Sequence, residues 1–167
     1  MGVALILIAL DLIRTNVVPL RNSSFLPDFI VILERDFLAT FLIGALLAFL
    51  LHSSVAAVLM FVALVTSETL TLMVGVSLVL GANLGSSLLP LWMTRTMPPT
   101  ARQLPLMNLL IRGGAALSML VIVNRTSLIG LLPEVHTGQQ IILTHIIFNT
   151  ILLVAIPFSK LAGRLAE

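Results

Sequence analysis

The chain has 167 residues, 59% of them hydrophobic and 10% charged, with a formal net charge of +2 and no cysteine. Soluble domains average about 45–50% apolar and about 25% charged residues, so no water-soluble fold of this length could hide so much apolar surface. Disulfides and thiolate metal sites are excluded, and the scattered Lys and Arg residues form no run suited to nucleic acid or lipid headgroups.

Lipid is therefore the expected solvent, in keeping with a mean hydropathy of +1.16. The expected class is an all-α integral membrane protein forming a single membrane domain over residues 1–167. The first apolar block, Gly2 to Ile13, is about 12 residues long, short of the roughly 20 a span needs. A chain that starts almost inside an apolar segment is expected to be a piece of something longer. The polar link Arg14 to Asp36 comes next, with Pro19 and Pro27 as breakers. Within it, Leu26 to Leu33 has the pattern of a short interfacial amphipathic helix.

Phe37 to Val65 is about 29 residues without a charge, long for one span and short for two. His52-Ser53-Ser54 divides it into arms of roughly 15 and 11 residues, about 22 and 17 Å as helix. Those lengths predict a re-entrant helical hairpin with the polar triplet at its tip. The alternative is a single tilted helix with a polar stripe. With the hairpin, Lys and Arg divide about four to four across the membrane; with one crossing they divide about seven to one, which by the positive-inside rule favours the crossing.

Thr66-Ser67-Glu68-Thr69 reads as a turn, with Ser67 as N-cap and Glu68 in the first turn of the next helix. That helix, Leu70 to Met93, contains Gly81-Ala82-Asn83-Leu84-Gly85-Ser86-Ser87. Two glycines allow unwinding, and carbonyls with Asn and Ser oxygens suit a hard cation such as Na⁺. A broken transmembrane helix is expected here. A seam of small residues for close helix packing is the competing reading. Pro98-Pro99 closes a short loop, Gln103 to Val123 spans next, Asn124 to Gln139 is a polar loop, and Ile141 to Phe158 is the last span.

Arg112 lies inside an apolar segment beside Gly113-Gly114. Such a charge faces a cavity, a partner or the interface. It either helps hold an anion or snorkels or pairs with a segment outside this chain. Asn108, one turn earlier, is expected to share its face. Thr144, His145 and Asn149 form a polar stripe on the last span, expected to serve hydrogen bonding between helices.

At these residues the chain resembles the sodium-dependent phosphate cotransporter family, the type II symporters and their bacterial relatives. That family carries Gln-Ser-Ser-Ser-Ala followed by Gly-Ala-Asn-Ile-Gly-Thr-Thr in each of two inverted repeats. His52-Ser53-Ser54-Val55-Ala56 and Gly81 to Ser87 stand in those places in order, and Gln139 to Asn149 matches the family's segment ending in His-Leu-Leu-Phe-Asn. A worn copy, beginning Ala101-Arg102, places Asn108 and Ile111-Arg112 at the His and Phe-Asn positions.

The resemblance implies one transporter repeat of two, the second, with the other supplied by a longer chain or a second copy. It implies Na⁺-coupled symport of inorganic phosphate by alternating access, in a multi-pass protein of the bacterial inner membrane. Lipid, phosphate and Na⁺ are the implied partners, with no cofactor and no nucleic acid. His52, Ser53, Ser54, Asn83, Ser86 and Ser87 are the implied substrate contacts, and Ser54, Asn83 and Ser86 the implied Na⁺ ligands. The departures at His52, where the family has Gln, and at Val55, where it has Ser, touch the hairpin tip. The alternative function is a transport-inactive relative retained as a structural or regulatory membrane subunit. Enzymatic function is not expected: there is no His-Glu-x-x-His motif and no paired-carboxylate site within the spans.

Overall fold

The computed structural model describes residues 25–126, 128–131, 133 and 135–165, with positions 4, 5, 7–9, 11, 12 and 15. Five of the twelve positions of the expected block Gly2 to Ile13, and much of the polar link after it, lie outside the described residues. Those described are helical, with no strand among them: α1 Phe25–Arg35, α2 Phe37–Leu50, α3 Ser54–Thr66, α4 Leu72–Met93, α5 Pro99–Asn108, a π-helical turn Leu109–Gly113, α6 Gly114–Arg125, a 3₁₀ turn Leu128–Leu131 and α7 Thr137–Leu165. Three stretches are long and apolar enough to cross a membrane: Leu72–Met93, Pro99–Arg125 and Thr137–Val154.

The run without charges folds as a hairpin of 14- and 13-residue arms. Asp36 starts it by accepting from the Leu38 and Ala39 amides at 2.9 and 3.0 Å, which satisfies N–H groups that an uncapped helix leaves orphaned. At the tip, His52 takes a left-handed φ of 53°, which reverses the chain, and Ser53 caps α3 by accepting from the Ala56 amide at 3.1 Å. The second arm then runs back towards the start of the first.

Close helix contacts fix this geometry. A Cβ built on Gly81 would collide with the Phe41 carbonyl oxygen, and one on Gly85 with that of Ala45. The matched steps of four show that α2 and α4 run parallel, with backbones too near for any side chain between them. The Phe49 ring meets Trp92 edge-on at 6.1 Å, so α2 ends near the end of α4. Val65 lies against Gly75, so α3 returns to the beginning of α4. The hairpin therefore enters and leaves at one end of α4, as the re-entrant reading expects and the single tilted helix does not.

One expectation fails. The segment Gly81 to Ser87 does not unwind; α4 is one continuous helix of 22 residues. Its glycines are spent on the approach of α2, which is the packing-seam reading, and the helical ladder continues through the segment apart from the Ser86 carbonyl, to which Pro90 has no N–H to donate. The turn also differs. Ser67 is the C-cap of α3, Glu68 sits at φ 55° in the turn rather than in a helix, and Thr71 is the N-cap of α4.

In α4, 67% of the most hydrophobic window is buried, against 22% in each of the other two spans, so it is the central element. One apolar cluster, with Ala48, Phe61 and Leu78, binds the hairpin to it. Another, with Phe41, Leu80, Leu120 and Phe148, binds α6 and α7 to it. Ile141 beside Gly75 and Asn149 near Asn83 show α7 parallel to α4.

Candidate functional site

Asn83 stands at the middle of α4 and is fully buried. An amide in hydrocarbon must find partners, and this one finds several. Its Nδ2 donates to the Val79 carbonyl one turn back at 2.9 Å and lies 3.5 Å from Nδ1 of His145. Its Oδ1 accepts from Nη2 of Arg112 at 2.8 Å. The same Nη2 donates to Oδ1 of Asn149 at 2.5 Å, and Nδ2 of Asn149 donates to the His145 carbonyl at 2.7 Å. Both amides thus anchor their nitrogen to their own helix and turn their oxygen to one guanidinium.

Arg112 reaches this position through the π turn Leu109–Gly113. The extra residue in that turn rotates the helix beyond it, so Asn108 faces outward and exposed while Arg112 is half-buried in the cluster. The expectation that the two share a face fails for this reason. Gly113 is buried against Leu84 and Ser87, and its lack of a side chain lets the π turn lie close to α4. The guanidinium cannot lose its proton. Its Nε is buried without a hydrogen-bond partner, and no carboxylate pairs with it among the described residues.

The serines divide by role. Ser86 and Ser87 donate back to the Asn83 and Leu84 carbonyls at 3.0 and 2.7 Å. With their protons committed, these hydroxyls offer lone pairs, which suit a cation better than a phosphate. Ser53, whose oxygen already accepts in the cap, keeps its O–H for donation. Ser54 opens α3 beside it, and the first amides of a helix favour an anion. His52 is exposed, with Nδ1 3.0 Å from the Leu50 carbonyl. No hydrogen bond joins His52, Ser53 or Ser54 to Asn83, Ser86 or Ser87 among the described residues, so the six expected site residues form two separate groups.

A cavity of about 600 Å³ between α2 and α4 lies elsewhere. It is lined by apolar side chains such as Leu42, Leu46, Phe49 and Trp92, with Arg95 and Arg102, and none of the polar cluster borders it.

A sequence model of the family described as Na⁺/Pi-cotransporter matches residues 5–154. The chain belongs to that family. That family is one of transporters and not of enzymes, and with the three spans and bacterial relatives the chain is a multi-pass protein of the bacterial inner membrane. The chain is 32% identical over 169 residues to a Salmonella typhimurium protein named "Putative inorganic phosphate export protein YjbB", and 33% identical over 167 residues to the Escherichia coli K12 protein of the same name. Each alignment covers 99% of this chain and 31% of the relative, so the chain spans about a third of their length. No solved structure matches.

In this family setting the cluster absorbs residues whose sequence pattern points to other roles. Asn149 joins its helix to Arg112, and His145 lies 3.5 Å from the Asn83 amide of α4, as expected of that stripe, whereas Thr144 donates to the Gln140 carbonyl of its own helix. Arg112 does not snorkel. The signal available for both is the repeated spacing of Asn108 to Arg112 and His145 to Asn149.

Proposed function

We propose that the chain forms one repeat of a two-repeat inorganic phosphate transporter, working by alternating access as a Na⁺-coupled symporter. The observation that carries this reading is a permanent positive charge held at mid-span by two amide oxygens, with no carboxylate beside it among the described residues. A charge so placed is costly without a counter-ion, and a translocated anion is the counter-ion that a transport path provides. Phosphate near neutral pH carries a charge of about −1.5 and needs both donors and positive charge.

In this reading Ser53 and Ser54, with the start of α3 and His52, form the open part of the phosphate site. Arg112, held by Asn83, forms the buried part, with the Ser86 and Ser87 oxygens beside it facing the accompanying cation. Ser54 and Ser86 retain oxygen lone pairs for Na⁺; the third expected oxygen, that of Asn83, is engaged by the guanidinium. The missing repeat comes from the rest of a longer chain or from a second copy, which agrees with the fraction of the relatives covered. The relatives' name favours outward phosphate movement, and symport permits either direction according to the gradients.

The test is radiolabelled phosphate flux into proteoliposomes holding the full-length protein, with an imposed Na⁺ gradient. Flux is expected to fall strongly in Ser54→Ala and in Asn83→Ala. Unchanged flux in both would remove the site assignment, and no phosphate flux in the unmodified protein would favour the transport-inactive subunit.

A further inference from the structure

Two amide oxygens aimed at one point from two different helices are the donor set of a cation site. Asn83 and Asn149 make such a pair, and the positive group between them is Nη2 of Arg112, at 2.8 and 2.5 Å. Hard cations such as Na⁺ are held by oxygen ligands of this kind. Asn83 is among the residues expected from the sequence to bind Na⁺. The place expected to hold an ion holds a side chain.

The chain itself offers the comparison. Asn108 to Arg112 and His145 to Asn149 share one spacing, with Ile111 matching Phe148. At the end of the second copy stands an amide; at the end of the first stands an arginine. The π turn brings that arginine onto the amide of the second copy and onto Asn83.

We infer that the Arg112 guanidinium is a tethered cation standing where a coupling Na⁺ would otherwise bind. This rests on the phosphate-transport reading for its consequence, though not for its test. A mobile Na⁺ that binds and leaves with each cycle couples phosphate movement to the Na⁺ gradient. A guanidinium keeps its proton and stays on its helix, so it offsets phosphate charge without drawing on that gradient. The protein therefore moves phosphate with one Na⁺ fewer than a site in which these oxygens are free. The spare Nε–H, which no protein group accepts, adds a donor for the anion.

The experiment compares the full-length protein with Arg112→Lys and Arg112→Asn, the second supplying the amide found at the matching position of the other copy. Phosphate flux is measured against Na⁺ concentration at constant ionic strength with choline as replacement. Arg112→Lys is expected to keep the Na⁺ dependence of the unmodified protein. Arg112→Asn is expected to become steeper, its Hill coefficient rising by up to one, because that coefficient is bounded by the number of sites that fill. A second reading uses the metal alone. Purified Arg112→Asn is expected to gain thermal stability as choline chloride is replaced by NaCl, beyond any gain in the unmodified protein, because a ligand that binds only the folded state raises its Tm.

Equal Na⁺ dependence and equal Na⁺-induced Tm shifts in all three proteins would overturn the inference. If Arg112→Asn proves too unstable to purify, Arg112→Gln takes its place under the same criteria. Absence of phosphate flux in every protein would defeat the transport reading instead, and the Tm comparison would still decide whether Arg112 occupies a Na⁺ position.

Discussion

The hairpin tip and the cluster at Asn83 are both polar interruptions of apolar sequence, yet they solve opposite problems. His52 is exposed at a tight reversal, and Ser53 spends its oxygen on the helix it caps. Asn83 is fully buried, with its amide satisfied by its own helix and by Arg112. The tip keeps its donors available by staying open, whereas the cluster keeps a charge at mid-span by surrounding it with neutral oxygens. An anion path needs both: donors to receive phosphate and a positive charge to hold it away from water.

Single substitutions separate the two regions. Gly81→Leu should have the largest effect, breaking both at once. Its side chain would begin inside the space of the Phe41 carbonyl oxygen, and forcing α2 off α4 costs more than about 3 kcal/mol. Loss of monodisperse protein on size exclusion checks this. Arg112→Gln should strike the cluster alone. Hydrogen bonds to charged groups contribute about 1.5–3 kcal/mol, so flux should fall by roughly 10- to 150-fold. Its Tm should fall far less, because a costly half-buried charge leaves with the lost bonds.

Asn149→Asp should dissociate function from stability more sharply. A carboxylate there would pair with Arg112, raising Tm while competing with phosphate, and flux is expected to fall about tenfold. The smallest effect belongs to the tip. A non-glycine residue in the left-handed region costs about 1 kcal/mol, so His52→Gly should raise Tm by a few degrees. If His52 contacts phosphate, the same change lowers phosphate affinity, which a flux-against-phosphate curve records.

The hairpin is legible in the sequence because arm length is a local quantity: a polar triplet dividing an apolar run of that size leaves arms too short to cross. The spans are legible for the same reason. The state of Gly81 to Ser87 is not. Glycine, alanine and serine serve equally for unwinding and for close packing, and the deciding factor is the backbone of α2 lying against them, some forty residues earlier. Ser67 is ambiguous because serine caps either end of a turn, and here the left-handed Glu68 ends α3 before α4 begins. Arg112 is visible as an anomaly, but its direction is not. A regular helix would set it on the face of Asn108, and the π turn that re-aims it leaves no mark in the hydrophobic period.

The central claim is that Arg112, held in place by two amides, binds phosphate within the span. Equilibrium binding of radiolabelled phosphate to the purified full-length protein tests it most directly, with Arg112→Gln set against His52→Ala. The account predicts that Kd rises at least about tenfold in Arg112→Gln, the effect of losing a charged donor, and much less in His52→Ala. An unchanged Kd in a folded Arg112→Gln protein would contradict it and move the phosphate site to the hairpin tip.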